Sequence, residues 1–247
     1  MAEETFLFVD FDNTMVDTER LRSLYTAELA RILASDYGGD ENRWAAAIPP
    51  ALDACMARYV ATFEGRPLAG YCAWLPEEMA RIAAEVFTGA GVAAPAGVPL
   101  SEVAQRAQFD ALAACNAAIE GAEDALRTLF DRGVRTQVAS AQDSEYLLAA
   151  LIGSGLESYT ESKFGPDLID CAKEGPEFYQ RMFDQVGVEP SRAIVLDDLP
   201  TCLRWAEEAG AKVVQACLLP ASREPAFPHV LRRFSYLPEL VEKLGAQ

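Results

Sequence analysis

The chain opens on an apolar run that breaks off sharply: Thr5-Phe6-Leu7-Phe8-Val9 is followed by Asp10-Phe11-Asp12-Asn13-Thr14. A short apolar stretch rich in aromatic and β-branched residues, closed by turn formers, predicts a buried strand. Similar runs recur at residues 134–140, 192–198 and 211–217, with a weaker candidate near 157–162. Each of the three strong runs follows a helix-like stretch ended by glycine: 122–132 before Gly133, 175–186 before Gly187, and 201–209 before Gly210.

This alternation predicts an α/β fold, with a Rossmann-like, mainly parallel sheet covered by helices on both faces. Between the first strand and Ala122 the pattern changes. Residues 19–33, 51–62, 76–87 and 101–114 read as helices, and no strand pattern separates them. Gly38-Gly39, Pro49-Pro50, Gly65-Arg66-Pro67 and the stretch 89–99 punctuate them as breaks. The expected organisation is a core of residues 1–16 and 119–247 with an all-helical insertion, a cap, at 17–118. Hinges are expected near 16–18 and 116–121.

Composition narrows the function classes. Of the 247 residues, 51% are apolar, ample for a packed core, and the net charge is −17. So acidic a chain is not expected to bind nucleic acid or an anionic membrane. Cations number 17 Arg and 4 Lys, and His229 is the sole histidine. The six cysteines (Cys55, Cys72, Cys115, Cys171, Cys202, Cys217) form no CxxC pair and read as reduced thiols. Glu3 and Glu4 stand where a secretory leader would carry Lys or Arg, and no apolar run nears the roughly 18 residues of a membrane span. A cytoplasmic protein is expected, with oligomeric state open.

In a parallel sheet, strand C-terminal ends share one edge, where ligands bind. Asp10 and Asp12 follow the first strand, Ser140 ends the second, and Asp197-Asp198 end the third; Lys173 precedes the helix-like stretch from 175. Four carboxylates brought together repel, and an oxygen-rich cluster of this kind suits Mg²⁺. Taken singly, each has an ordinary structural reading: acids cap turns and helix starts, and a lone lysine is a solvated charge. Their order and their shared position at strand ends argue for a site.

With these residues the chain resembles the haloacid dehalogenase-like (HAD) hydrolases, in the capped, phosphoglycolate phosphatase-like subgroup, over essentially its whole length. DFDNT at 10–14 is similar to the DxDx(T/V) signature, Ser140 to the second motif, Lys173 with Pro176 and Tyr179 to the third, and Asp197-Asp198 to the fourth. The resemblance implies a Mg²⁺-dependent phosphatase for a small phosphorylated metabolite, working through an aspartyl-phosphate. It implies Asp10 as nucleophile and Asp12 as acid/base. The phosphate would lie among Asn13, Thr14, Ser140, Ala141 and Lys173. The metal would lie among Asp10, Asp12 (through its backbone carbonyl) and Asp198, with Asp197 as second ligand or water holder.

Three positions depart from the pattern: Asn13 for glycine, Ala141 for a polar residue, and Leu199 for Ser or Thr. Asparagine tolerates the left-handed backbone that glycine would supply. Other activities stay open within the resemblance. The dehalogenase branch lacks the second aspartate, present here as Asp12. Phosphonate cleavage uses a cap lysine, and 17–118 contains none. Sugar phosphomutases use cap His and Lys residues, and His229 lies outside the insertion. A catalytically silent scaffold is the alternative outside enzymes. Arg20, Arg43, Arg58, Arg66, Arg81 and Arg106 are candidates to bind an anionic second group of the substrate, such as a carboxylate, although arginines on helices are ordinarily solvated or paired. Trp44, Tyr59, Phe63, Tyr71 and Trp74 are candidates to wall a pocket, although such spacing usually marks core.

Overall fold

A computed structural model describes residues 5–65 and 69–246. Strand β1 (Phe6–Val9) is buried along its whole length. Four long helices follow: α1 (Thr18–Tyr37), α2 (Glu41–Phe63), α3 (Tyr71–Ala90) and α4 (Leu100–Ala113). The chain then alternates through α5 (Ala122–Asp131), β2 (Arg135–Ala139), α6 (Ser144–Gly153), β3 (Lys163–Phe164), α7 (Pro166–Ile169) and α8 (Pro176–Val186). It closes with β4 (Ala193–Asp197), α9 (Pro200–Glu208), β5 (Lys212–Ala216), β6 (Val230–Leu231) and α10 (Leu237–Gly245).

The strands form one parallel sheet in the order β3-β2-β1-β4-β5-β6. β1 is thus central, with Val9 level with Val138 on one side and Leu196 on the other. Loops leaving β1, β2 and β4 must therefore meet, and the chain's order reverses at β1, where a crevice opens in sheets of this kind. The insertion α1–α4 leaves after β1. Its entry and exit are stitched together by Asp17 N donating to Ala117 O at 2.9 Å and Ile119 N donating to Met15 O at 3.0 Å.

Two expectations need correction. The weak strand near 157–162 is a 3-10 turn over Glu157–Tyr159, and the short edge strand β3 follows it. Pro49-Pro50 do not break the insertion: α2 runs through them from Glu41. Proline removes a helical hydrogen bond, but Trp44, Ile48 and Ala51 lie on one buried face spanning the prolines and hold both halves in line. Pro50 itself is exposed, so solvent can reach the freed carbonyls. Packing outvotes local propensity here. Helices α6 and α10 and strand β6 have no counterpart in the sequence reading.

A large apolar cluster runs from Leu7 and Val9 of β1 through α6 into the cap, where it includes Leu21, Trp44 and Val86. Helix α6 approaches α4 so closely at Gly153 that an added Cβ would strike the carbonyls of Leu112 and Cys115. No described helix is long and apolar enough to cross a membrane.

Candidate active site

Beyond β1 the backbone bends sharply. Thr14, Met15 and Val16 all donate their amides to Phe11 O, and Asn13 sits in the middle at φ 54. Asparagine is among the few L-residues that visit this region routinely, which accounts for the departure from glycine. The bend separates the two acids. Asp10 stays against the sheet, its amide donating to Leu196 O at 2.8 Å. The Asp12 carboxylate lies elsewhere: Oδ1 accepts from Thr18 Oγ1 and Oδ2 from Gln142 Nε2, both at 3.1 Å.

Lys173 is buried and uses all three ammonium hydrogens. Its Nζ donates to Asp10 Oδ1 at 2.7 Å, Asp197 Oδ2 at 2.8 Å and Ala139 O at 2.9 Å. Asp197 folds its other oxygen onto its own turn, accepting from Leu199 N at 2.8 Å. Asp10, Asp197 and Asp198 are all buried, and each offers a carboxylate oxygen within 4.8 Å of the others. Ser140 is buried at the end of β2, its amide donating to Phe164 O and its Oγ accepting from Gln142 N at 3.2 Å. Its hydroxyl hydrogen is left for another acceptor. Thr14 is buried, its hydroxyl without a partner among the described residues, and Ala141 is exposed.

The parallel sheet therefore gathers Asp10, Ser140, Lys173, Asp197 and Asp198 at one edge, with Asp12 beside them on separate donors. The family of haloacid dehalogenase-like hydrolases matches residues 6–210. The chain belongs to the haloacid dehalogenase-like hydrolases. Over 97% of its length it superposes on 99% of the L-2-haloacid dehalogenase of Xanthobacter autotrophicus, at 18% identity and a TM-score of 0.60. HAD-hydrolase YfnB of Bacillus subtilis, bound to magnesium, is similar at 16% identity and a TM-score of 0.62, with 97% of this chain and 99% of that one covered. CbbY of Rhodobacter sphaeroides, in complex with xylulose-(1,5)bisphosphate, is similar at 18% identity and a TM-score of 0.56, covering 95% and 96%. At such identities the likeness is one of fold. No curated protein sequence matches the chain.

The electrostatics of this HAD-like hydrolase follow from burial. Desolvation pushes the Asp10 carboxyl well above its usual range, Lys173 pulls it back, and Asp197 and Asp12 push it further up. Burial also raises Asp12, opposed by the hydrogen bonds from Gln142 and Thr18. Asp198 is pushed up to about 6, by burial first and then by Asp197. Burial alone would lower the Lys173 ammonium, but Asp10 and Asp197 more than reverse it, so it is held charged.

The cap residues divide. Phe63 and Tyr71 are buried in an apolar cluster with Ala139 and Ala172, the residues preceding Ser140 and Lys173, and Tyr59 and Trp74 pack against it. Trp44 belongs instead to the cap interior, edge-on to Phe87, with its indole nitrogen donating to Gly38 O at 2.8 Å; as a pocket wall it is a correction. Arg58 is committed to Glu78 and Glu85, and Arg106 lies 3.9 Å from Asp110. Arg20, Arg43 and Arg81 are exposed, and Arg66 lies outside the described residues. The sequence reading missed Thr18 and Gln142. Gln142 follows Ser140 by two residues, so its place in a strand-end loop was the available signal.

Proposed function

We propose that this HAD-like hydrolase is a Mg²⁺-dependent phosphatase that cleaves a small phosphomonoester through an aspartyl-phosphate. One observation carries the reading: three buried carboxylates lie together while Lys173 bonds only two of them, Asp10 and Asp197, so acids outnumber the cation at this edge. Such an excess is costly in a buried site unless a cation meets it. The donors are hard oxygens, and the Asp198 carboxyl is pushed up by burial first and by Asp197 next. Mg²⁺ fits this donor set. Asp10 and Asp198 would hold it, with Asp197 steadied by Leu199 N and Lys173 beside them, and the bound cation would offset the charge of the phosphate.

Asp10 would attack phosphorus, forming an acyl-phosphate bond as the bond to the leaving oxygen breaks. Lys173 holds the attacking carboxylate in place, and Ser140 has a hydroxyl hydrogen for a phosphoryl oxygen. Asp12, whose pKa burial raises, would give its proton to the leaving oxygen and then take one from the water that hydrolyses the intermediate. Dehalogenation needs neither a metal nor a second carboxylate to carry a proton, so the metal-suited acid cluster and the presence of Asp12 favour the phosphatase. A phosphoglycolate-like substrate would need a guanidinium for its carboxylate, which Arg58 does not offer while paired with Glu78 and Glu85.

Purified protein is expected to hydrolyse p-nitrophenyl phosphate with Mg²⁺, to stop when the metal is chelated, and to lose turnover at least about a thousandfold in Asp10→Asn with the fold intact. Metal-independent turnover, or an active Asp10→Asn variant, would sink the reading. Inactivity on a broad panel of phosphomonoesters would favour the scaffold.

A further inference from the structure

We infer that Gln142 is a positioning residue for Asp12, holding its carboxylate where it exchanges a proton with the leaving group. This role presupposes the phosphatase reading and adds a residue outside the four motifs.

Gln142 stands in the loop leaving β2, between Ser140 and helix α6, and is half-buried. Its backbone amide donates to Ser140 Oγ at 3.2 Å, and its side-chain Nε2 donates to Asp12 Oδ2 at 3.1 Å. One residue therefore joins the serine of one strand end to the acid of the next. In its ionised, proton-accepting state the carboxylate only accepts, so the amide nitrogen is the end of Gln142 that faces it there. The other Asp12 oxygen is held by Thr18 Oγ1, at the start of α1. With one donor from the core and one from the cap entry, both carboxylate oxygens are fixed and the side chain cannot swing freely.

The backbone of Gln142 is itself held in place. Gly165, at the start of α7, lies so near that an added Cβ would collide with the Gln142 carbonyl oxygen. Close packing of this kind makes a long side chain a defined support. Asp12 needs one, because the sharp turn around Asn13 carries it away from the sheet whose ladder fixes Asp10. A general acid displaced by a fraction of an ångström loses much of its effect.

General-acid assistance matters when the leaving group is a poor one and little when it departs unprotonated. The test compares a primary alkyl phosphate with p-nitrophenyl phosphate in Gln142→Met, which keeps side-chain length and removes the donor. On the alkyl ester kcat is expected to fall about tenfold or more, with KM within about twofold. With p-nitrophenyl phosphate the pre-steady-state burst of p-nitrophenolate, which reports phosphoryl transfer to Asp10 alone, is expected to stay within about twofold of wild type, while the Asp12-assisted hydrolysis of the aspartyl-phosphate slows. Gln142→Glu, which keeps the shape and places an acceptor opposite Asp12, is expected to show the same leaving-group dependence, and it serves should the methionine variant not fold. A p-nitrophenolate burst slowed as much as turnover of the alkyl ester marks a merely structural residue and overturns the role, as does no change with either ester. A wild-type protein inactive on both esters overturns the phosphatase reading and this role together.

Discussion

Asp10 and Asp12 are two residues apart, yet they meet opposite surroundings because the strand ends at Val9 and the turn begins at once. Asp10 faces a buried lysine; Asp12 faces neutral donors. Under the proposed reading, residue environment rather than residue type separates a group held for attack from one able to carry a proton. The neighbouring Asp143 shows the same physics at work on stability. It caps α6, accepting from Tyr146 N at 2.9 Å, but burial pushes its carboxyl up to about 6. A carboxyl whose folded pKa exceeds its unfolded value near 3.9 stabilises fully below that value and loses this contribution as pH rises through 6. Asp143→Asn keeps an acceptor for the cap and removes the ionisation. It is expected to match wild type near pH 4 and to exceed it at pH 7.5 by about 1 kcal/mol, the shift being discounted for partial exposure. Urea unfolding at the two pH values checks this; a variant weaker at pH 7.5 would show that the charge at the helix N-terminus outweighs its desolvation.

Among the elements, α3 has an unusual start. Gly70 occupies its N-cap position at φ 101 and has no side chain to cap with. The cap comes from the core, 100 residues on: Asp170 Oδ1 accepts from Gly70 N at 3.2 Å and from Cys72 N at 3.0 Å. Asp170 does this at φ 44, a conformation that asparagine also tolerates but alanine resists. Asp170→Asn is therefore expected to cost less than about 0.5 kcal/mol. Asp170→Ala is expected to cost about 2 kcal/mol, from the lost cap and the strained backbone. Thermal or urea unfolding of both variants distinguishes the two; equal losses would deny the cap its role. The same element level decides what can be read from sequence. The ends of β1 and β4 are legible because an apolar run gives way to carboxylates, and that of β2 because it gives way to Ser140. The bond from Asp170 to α3 and that from Gln142 to Asp12 are not, since each joins segments that only the tertiary fold brings together. Pro49-Pro50 mislead for a related reason, because the face that overrides them is completed by other helices.

At the scale of the whole molecule, charge dominates. The chain carries −17, and its most concentrated buried portion is the trio Asp10, Asp197 and Asp198 at the sheet edge. Any salt relieves long-range repulsion among surface acids by screening, and that relief depends on ionic strength rather than on the identity of the cation. A buried cluster is screened poorly and responds to a cation that enters it. Binding at a hundredfold excess over Kd stabilises by about 2.7 kcal/mol, which for a protein of this size corresponds to a rise in Tm of about 5–10 °C. Mg²⁺ is therefore expected to raise Tm by several degrees more than NaCl at matched ionic strength. Asp198→Asn is expected to remove most of that difference while leaving the NaCl response unchanged, because one surface-independent ligand is lost and the general charge barely moves. Should Mg²⁺ and NaCl act alike on the wild type, the excess charge at the sheet edge would have to be met by protons, and the metal would have no place in this site.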